Sequence, residues 1–248
     1  MITEFIAENV KTAGLKGAVV AVSGGIDSAV ALALTVKALG GDKVTAITLP
    51  DRDATPECDI MDVMQHCESL GVTCNTLDIT PILHVMRDSL PLYDVTDRVA
   101  AGNVKSRVRM IVAYHYSNRL GRMVVGTSNK TELLTGFFTK HGDGGVDMVP
   151  LADLYKTQIR QLARHLNVPE NIIKKPPSPG FFPGQTDEGE LGIDYATLDL
   201  VLHSLEKGED ALRIAEDLNI TFGQVEAIRK RRKANEHKRR PPLILRLT

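Results

Sequence analysis

The chain has 248 residues, 43% hydrophobic and 25% charged, with a formal net charge of −1. Such a composition excludes a disordered chain, and the length suits one α/β domain with a small appendage. The near-neutral charge excludes a general pull toward nucleic acid or an anionic membrane, and no apolar run reaches the length of a bilayer span.

The N-terminus, Met1-Ile2-Thr3-Glu4-Phe5-Ile6, has an early acid and no signal pattern, so a cytoplasmic location is expected. Cys58, Cys67 and Cys74 form no Cys-x-x-Cys pair and no even framework, which predicts reduced thiols. Apolar patterning then predicts a helix over 3–13, a strand over 18–22, a helix over 27–39, a strand over 43–49, a helix over 57–70 and a strand over 73–78. This alternation implies a doubly wound parallel sheet of the α/β class, with helices on both faces and ligands at the carboxyl ends of the strands. A long helix over 99–120 ends at Gly121, and a strand over 123–125 leads into the turn Gly126-Thr127-Ser128-Asn129. The stretches 136–149 and 175–190, the second containing Pro176, Pro177, Pro179 and Pro183, are expected to be mobile loops. Residues 195–248 read as a helical C-terminal extension of a single domain covering 1–248. Within it, 211–233 looks like two helices joined around Asn219-Ile220-Thr221 and followed by a basic cluster. A DNA reader can take that form, but so can a charged outer face, and no other basic stripe accompanies it.

The run Ser23-Gly24-Gly25-Ile26-Asp27-Ser28 falls where an apolar strand becomes a helix. Small residues there let backbone N–H groups approach an oxyanion, and the helix start adds unpaired donors and a positive dipole end. A bare Asp27 carboxylate would repel a polyphosphate, so Mg²⁺ between the two makes better sense of it. The run lacks both the Gly-Lys-Ser/Thr ending of a P-loop and the Gly-x-Gly-x-x-Gly of a dinucleotide turn. It resembles the pyrophosphate-binding loop of the ATP pyrophosphatases, which split ATP into AMP and pyrophosphate.

Further segments narrow the resemblance. Asn103-Val104-Lys105-Ser106-Arg107-Val108-Arg109-Met110 places Lys105, Arg107 and Arg109 in different directions on a helix, each for a different partner. Gly126-Thr127-Ser128-Asn129-Lys130-Thr131-Glu132 puts a second acid at a helix start, and Gly136-Phe137-Phe138-Thr139-Lys140-His141-Gly142-Asp143-Gly144-Gly145 follows. Together with Pro150-Leu151, Lys156, Lys174-Lys175-Pro176, Asp187-Glu188, Leu191-Gly192, Tyr195 and His237-Lys238, these resemble the small ammonia-dependent NAD synthetases over nearly the whole chain.

The resemblance implies adenylation of the nicotinate carboxylate of deamido-NAD by ATP, followed by attack of ammonia to give NAD, AMP and pyrophosphate. It matches Asp27 and Glu132 to Mg²⁺ ligands, and Ala21, Val22, Ser23, Gly24, Gly25, Ile26, Asp27 and Ser28 with Thr127, Lys156 and Ser178 to ATP contacts. Ser178 replaces a frequent threonine and keeps the hydroxyl. Arg107, Lys140, Asp147, His237 and Lys238 match positions that hold deamido-NAD. Lys156 reads either as a point charge on the phosphates or as a solvated helix lysine. Asp143 reads either as the group that orients ammonia or takes its proton, or as an aspartate chosen for turn geometry. Tyr114 is open between stacking on the pyridine ring and a core role. His66, His84, His115, His165 and His203 lack ligand spacing and are expected to be structural.

The resemblance also implies a twofold dimer with the site at its interface, to which the 99–120 helix could bring Val108, Ile111, Val112 and Tyr116. No amidohydrolase region is visible, which predicts activity with ammonium rather than glutamine and leaves a separate glutaminase as an open source of ammonia. Two alternatives stand beside this reading. One changes the acceptor, as in GMP synthetase or a tRNA sulfurtransferase, and the other is a non-enzymatic nucleotide- or DNA-binding module. The absence of paired catalytic cysteines opposes sulfur transfer, and two metal-type carboxylates oppose mere binding.

Overall fold

A computed structural model describes residues 1–182 and 184–247; Pro183 of the second glycine- and proline-rich stretch and Thr248 at the end of the C-terminal extension lie outside them. In chain order the elements are α1 (Ile2–Thr12), β1 (Ala18–Ala21), α2 (Ile26–Leu39), β2 (Val44–Thr48), α3 (Glu57–Ser69), β3 (Cys74–Thr76), α4 (Thr80–Ser89), α5 (Arg98–Leu120), β4 (Met123–Val125) and α6 (Lys130–Thr135). They continue with α7 (Lys156–His165), α8 (Glu170–Lys174), α9 (Asp187–Leu191), α10 (Tyr195–Glu206), α11 (Ala211–Asp217) and α12 (Phe222–Ala234), and a 3₁₀ turn follows over Glu236–Lys238. The expected helix–strand alternation is present, with α4 as an added helix and α9 replacing loop at the end of 175–190.

All four strands are parallel, in the order β3-β2-β1-β4, with Val19 opposite Thr45 on one side and Val124 on the other. Neighbouring residues of a strand point to opposite faces, and β1 shows the consequence. Ala18 and Val20 join a core with α1, α2, α3, α7 and α8, whereas Val19 joins Leu83 of α4 and Val108, Val112 and Ala113 of α5. Val108 and Val112 therefore face the sheet and are closed to any partner, while Ile111 remains 68% exposed. Helix α2 is buried almost all round through its first ten residues, as a core helix must be. Full burial of Val30 and Leu32 in it contributes about 1.5–3 kcal/mol each.

Asp97 caps α5 by accepting the Ala100 N–H at 2.9 Å, and Gly121 ends it in the left-handed region at φ 63°. A third apolar cluster joins Tyr155 and the α6 residue Leu134 to α10, α11 and α12. The basic residues at the end of the chain turn toward this body. Arg239 donates to the Leu133 and Leu134 carbonyls at 3.0 and 2.9 Å, and Asn235 donates to the Thr135 carbonyl at 3.1 Å. They satisfy the last carbonyls of α6 and complement its negative end, which accounts for part of the charge that resembled a DNA reader.

His66 is 1% exposed, with Nε2 3.0 Å from the Ala29 carbonyl of α2 and Nδ1 without a partner among the described residues. Burial pushes its pKa below the usual histidine value, against the Ala29 hydrogen bond. Unfolded chains then take up a proton below about pH 6.5 that the native state refuses, so stability falls as pH drops, by at most about 1.4 kcal/mol per pH unit. Thermal melts from pH 7 to 5 should show a steeper loss for the wild type than for His66→Gln; equal slopes would remove His66 from the acid response.

Candidate active site

The strand order reverses between β1 and β4. The turns that leave their carboxyl ends, 22–25 and 126–129, therefore flank the crevice in which open α/β sheets bind ligands. In the first turn the Ser23 N–H donates to Ser28 Oγ at 3.2 Å, and that hydroxyl donates to the Gly25 carbonyl at 2.9 Å. The turn is thereby closed onto the start of α2, whose first-turn N–H groups have no carbonyl partner within the helix. Gly24 has φ +81°, and a Cβ there would lie 2.8 Å from the Asp59 carbonyl oxygen, so only glycine lets α3 pack this close. Lys175 reinforces the approach by donating to the Gly24 carbonyl at 3.3 Å while pairing with Asp59 at 2.6 Å and with Asp62. Ala21 ends β1, and Val22 follows it with its N–H bonded to the Ile47 carbonyl at 2.8 Å.

The second turn presents Glu132 through a reciprocal cap: Asn129 Oδ1 accepts the Glu132 N–H at 3.0 Å, and Glu132 Oε2 accepts the Asn129 N–H at 3.2 Å. The Asn129 Nδ2 then donates to Asp27 Oδ1 at 2.9 Å, which links the two turns directly. Lys156, at the start of α7, lies between the acids, 2.5 Å from Asp27 Oδ2 and 3.4 Å from Glu132 Oε1. It is buried and ion-paired, which corrects the solvated-lysine alternative. Its ammonium also lies 5.0 Å from the centre of the Tyr195 ring, and the Tyr195 hydroxyl donates to Asp187 Oδ2 at 2.6 Å.

Burial pushes the Glu132 carboxyl up to about pKa 8, with the Asp27 charge adding to the push and Lys156 opposing it. Burial works against the Lys156 charge, but Asp27, Glu132 and Asp187 outweigh it and raise its pKa. Asp187 is likewise pushed up by burial, against Lys156 and the Tyr195 hydroxyl. One ammonium among three carboxylates leaves a site that favours more positive charge. Among the described residues no group of three or more His, Cys, Asp or Glu side chains converges to hold a metal. Two carboxylates completed by phosphate oxygens and water is how Mg²⁺ is usually held, so the donors present fit that ion.

The remaining predicted residues fall into two sets. Arg107 donates to the Lys140 carbonyl at 3.2 Å, Lys140 Nζ to the His237 carbonyl at 2.8 Å, and Lys238 Nζ to the Gly136 and Phe138 carbonyls at 2.8 and 3.0 Å. The 3₁₀ turn after α12 thus brings His237 and Lys238 onto the 136–141 segment beside α5. Lys105, Arg107 and Arg109 of α5 diverge as expected, with Lys105 on Asp51 at 2.6 Å and Arg109 on the Leu49 carbonyl at 3.1 Å. Asp143 Oδ1 accepts the Ser106 hydroxyl at 2.6 Å and the Thr139 N–H at 2.9 Å, while no hydrogen bond from the described residues reaches Oδ2. Gly142 permits this contact, because a Cβ there would lie 2.3 Å from Ser106 Oγ.

Thr127 is half-buried in the turn after β4. Ser178 is exposed and accepts the Gly180 N–H at 3.1 Å, with no hydrogen bond to the 23–28 turn. Asp147 has both oxygens engaged, by the Tyr114 hydroxyl at 2.8 Å and the Val124 N–H at 2.8 Å. Tyr114 packs beside the α5 core cluster as well, so the structure gives it a framework contact.

The NAD synthase family profile matches residues 1–242. The NH(3)-dependent NAD(+) synthetase of Methanosarcina acetivorans is 44% identical over 243 residues, covering 98% of this chain and 95% of the relative. The chain belongs to the NAD synthase family. A solved structure of NMN synthetase from Francisella tularensis superposes with a TM-score of 0.86 at 32% identity, covering 98% of this chain and 95% of that one. The NH3-dependent NAD synthetase from Campylobacter jejuni, solved with a nitrate ion, gives 0.83 at 31% identity, covering 99% and 96%.

Within this family member, the sequence pointed to Asp27, Glu132 and Lys156 but not to Asn129, which links the two turns. Asn129 had a usable signal, since Asn-x-x-Glu at a helix start is a capping box. Asp51 had none, because its partner Lys105 lies far away in the chain.

Proposed function

We propose that this chain adenylates the nicotinate carboxylate of deamido-NAD with ATP and then forms the amide with ammonia, giving NAD, AMP and pyrophosphate. The family match over nearly the whole chain carries the reading. In the first step a carboxylate oxygen attacks the α-phosphorus, and the bond from that phosphorus to pyrophosphate breaks. In the second, the ammonia nitrogen attacks the acyl carbon, the bond to AMP breaks, and the nitrogen loses a proton. A carboxylate is a poor electrophile, so the first step is what makes the second possible.

Backbone donors of 23–28 and the start of α2 would hold phosphate oxygens, with Thr127 and Ser178 as further hydroxyl contacts. Asp27 and Glu132 would hold Mg²⁺, which supplies positive charge to the departing pyrophosphate. Lys156 would stay charged beside the phosphates. Arg107, Lys140, Asp147, His237 and Lys238 would hold deamido-NAD, and Asp143 would orient ammonium through its free oxygen and accept its proton. Positioning of this kind lowers a barrier by about 7–11 kcal/mol. We place the activity in the cytoplasm, in keeping with three free cysteines, and in a dimer to which the exposed face of α5 around Ile111 contributes. No helix among the described residues is long and apolar enough to cross a membrane.

The likeness to an NMN synthetase favours one second reading, a mononucleotide acceptor. Purified protein with ATP and Mg²⁺ should therefore be offered deamido-NAD or nicotinate mononucleotide, each with ammonium or glutamine, and NAD, NMN and AMP measured. NAD from deamido-NAD and ammonium is expected, with little from glutamine once free ammonia is removed. Preferential amidation of the mononucleotide would transfer the assignment to the second reading, and no amide from either acceptor would defeat both.

A further inference from the structure

Asp187, the first residue of α9, is 4% exposed, and only one of its oxygens is satisfied. Oδ2 accepts the Tyr195 hydroxyl at 2.6 Å, whereas Oδ1 has no hydrogen-bond partner among the described residues. A buried carboxylate oxygen left unpaired is costly, so such an atom calls for a functional explanation. The nearby cation is Lys156. Its ammonium rests 5.0 Å from the centre of the same Tyr195 ring whose hydroxyl Asp187 holds. It is bonded at 2.5 Å to Asp27 and at 3.4 Å to Glu132. One ammonium is thus engaged by two carboxylates, while a third, tied to the ring beneath that ammonium, keeps an oxygen unpaired.

The two engaged carboxylates are those read above as Mg²⁺ ligands, and the inference rests on that reading. An ammonium 2.5 Å from Asp27 Oδ2 repels a divalent cation brought to the same carboxylate, strongly so in a buried site. We infer that Asp187 Oδ1 is a second berth for the Lys156 ammonium, to which the lysine moves when a divalent cation takes Asp27 and Glu132. Asp187 is then a positioning residue, and Tyr195 fixes it. The lysine keeps its proton and its place beside the phosphates, while the two acids pass from one cation to the other and are never left bare.

Mn²⁺ binding to the full chain, followed by electron paramagnetic resonance with a non-hydrolysable ATP analogue and without turnover, tests the exchange. Asp187→Asn should still accept the Tyr195 hydroxyl and should weaken Mn²⁺ binding by about 10–100-fold, the usual effect of losing an outer partner of a metal site. Lys156→Gln removes the competing cation, so in that background Asp187→Asn should lose most of its effect on Mn²⁺ binding. An equal effect in both backgrounds would overturn the berth. The unaltered protein gives a check that does not depend on how the variants fold: a crystal structure with Mn²⁺ and the analogue should place Lys156 Nζ within hydrogen-bond distance of Asp187 Oδ1. Lysine still on Asp27 with the metal bound would refute the exchange alone. Unchanged Mn²⁺ binding in Asp27→Asn would instead refute the metal-site reading on which it rests.

Discussion

Asp27→Asn is expected to abolish adenylation while leaving the fold in place. The carboxylate accepts from Asn129 Nδ2 at 2.9 Å, and a carboxamide oxygen can take the same hydrogen bond. Losing the Lys156 ion pair costs stability, since breaking a buried pair is usually expensive. Here the loss is offset, because Lys156 keeps Glu132 and one negative charge leaves a crowded acidic site. Chemistry has no such substitute. An amide is a poor Mg²⁺ ligand, and the charge that builds on departing pyrophosphate would be left uncompensated, where loss of a single electrostatic partner costs about 10²–10³-fold. Exchange of labelled pyrophosphate into ATP, dependent on deamido-NAD, reads this step alone. Exchange at the wild-type rate would remove Asp27 from the metal site, and a melt taken in parallel separates loss of chemistry from loss of fold.

The phosphate turn was legible because everything that makes it is local. A buried strand, small residues and an apolar helix follow one another within 18–39, and the structure differs from the expected bounds only at their ends. Lys156 was not legible in the same way. In α7 the buried positions Lys156, Ile159 and Ala163 form an ordinary core stripe, yet its first member is a lysine, which pattern alone assigns to solvent. Its burial follows from two carboxylates on other elements, Asp27 and Glu132, which no local rule connects to it. Part of the basic tail was illegible for a similar reason. Nothing local to Asn235 and Arg239 shows that the carbonyls at the end of α6 lie under them. That helix carries Glu132 at its start, so charge at the end of the chain supports an acid in its middle.

Asp143→Asn is expected to separate the two half-reactions. Ser106 and the Thr139 N–H both donate to Oδ1, and the Asp143 N–H returns a bond to Ser106 Oγ at 3.0 Å, so the carboxylate is held in one orientation from both ends. The Thr139 N–H is a contact within the turn, whereas Ser106 reaches Asp143 from α5, and Oδ2 takes none of these bonds. An oxygen fixed and left free in this way can accept from ammonium and then take the proton that must leave before nitrogen attacks, an effect worth about 10²–10⁴-fold. Pyrophosphate exchange should therefore persist in the variant while amide formation falls by that factor, with a higher KM for ammonium. The deficit should narrow as pH rises, because more of the donor then arrives already deprotonated and less is asked of the carboxylate. Ser106→Ala should give a smaller loss of the same kind, through a less rigid Asp143. If exchange and amidation fell together in Asp143→Asn, at every pH, the residue would belong to substrate binding or to the turn, and the proton acceptor would have to be sought elsewhere.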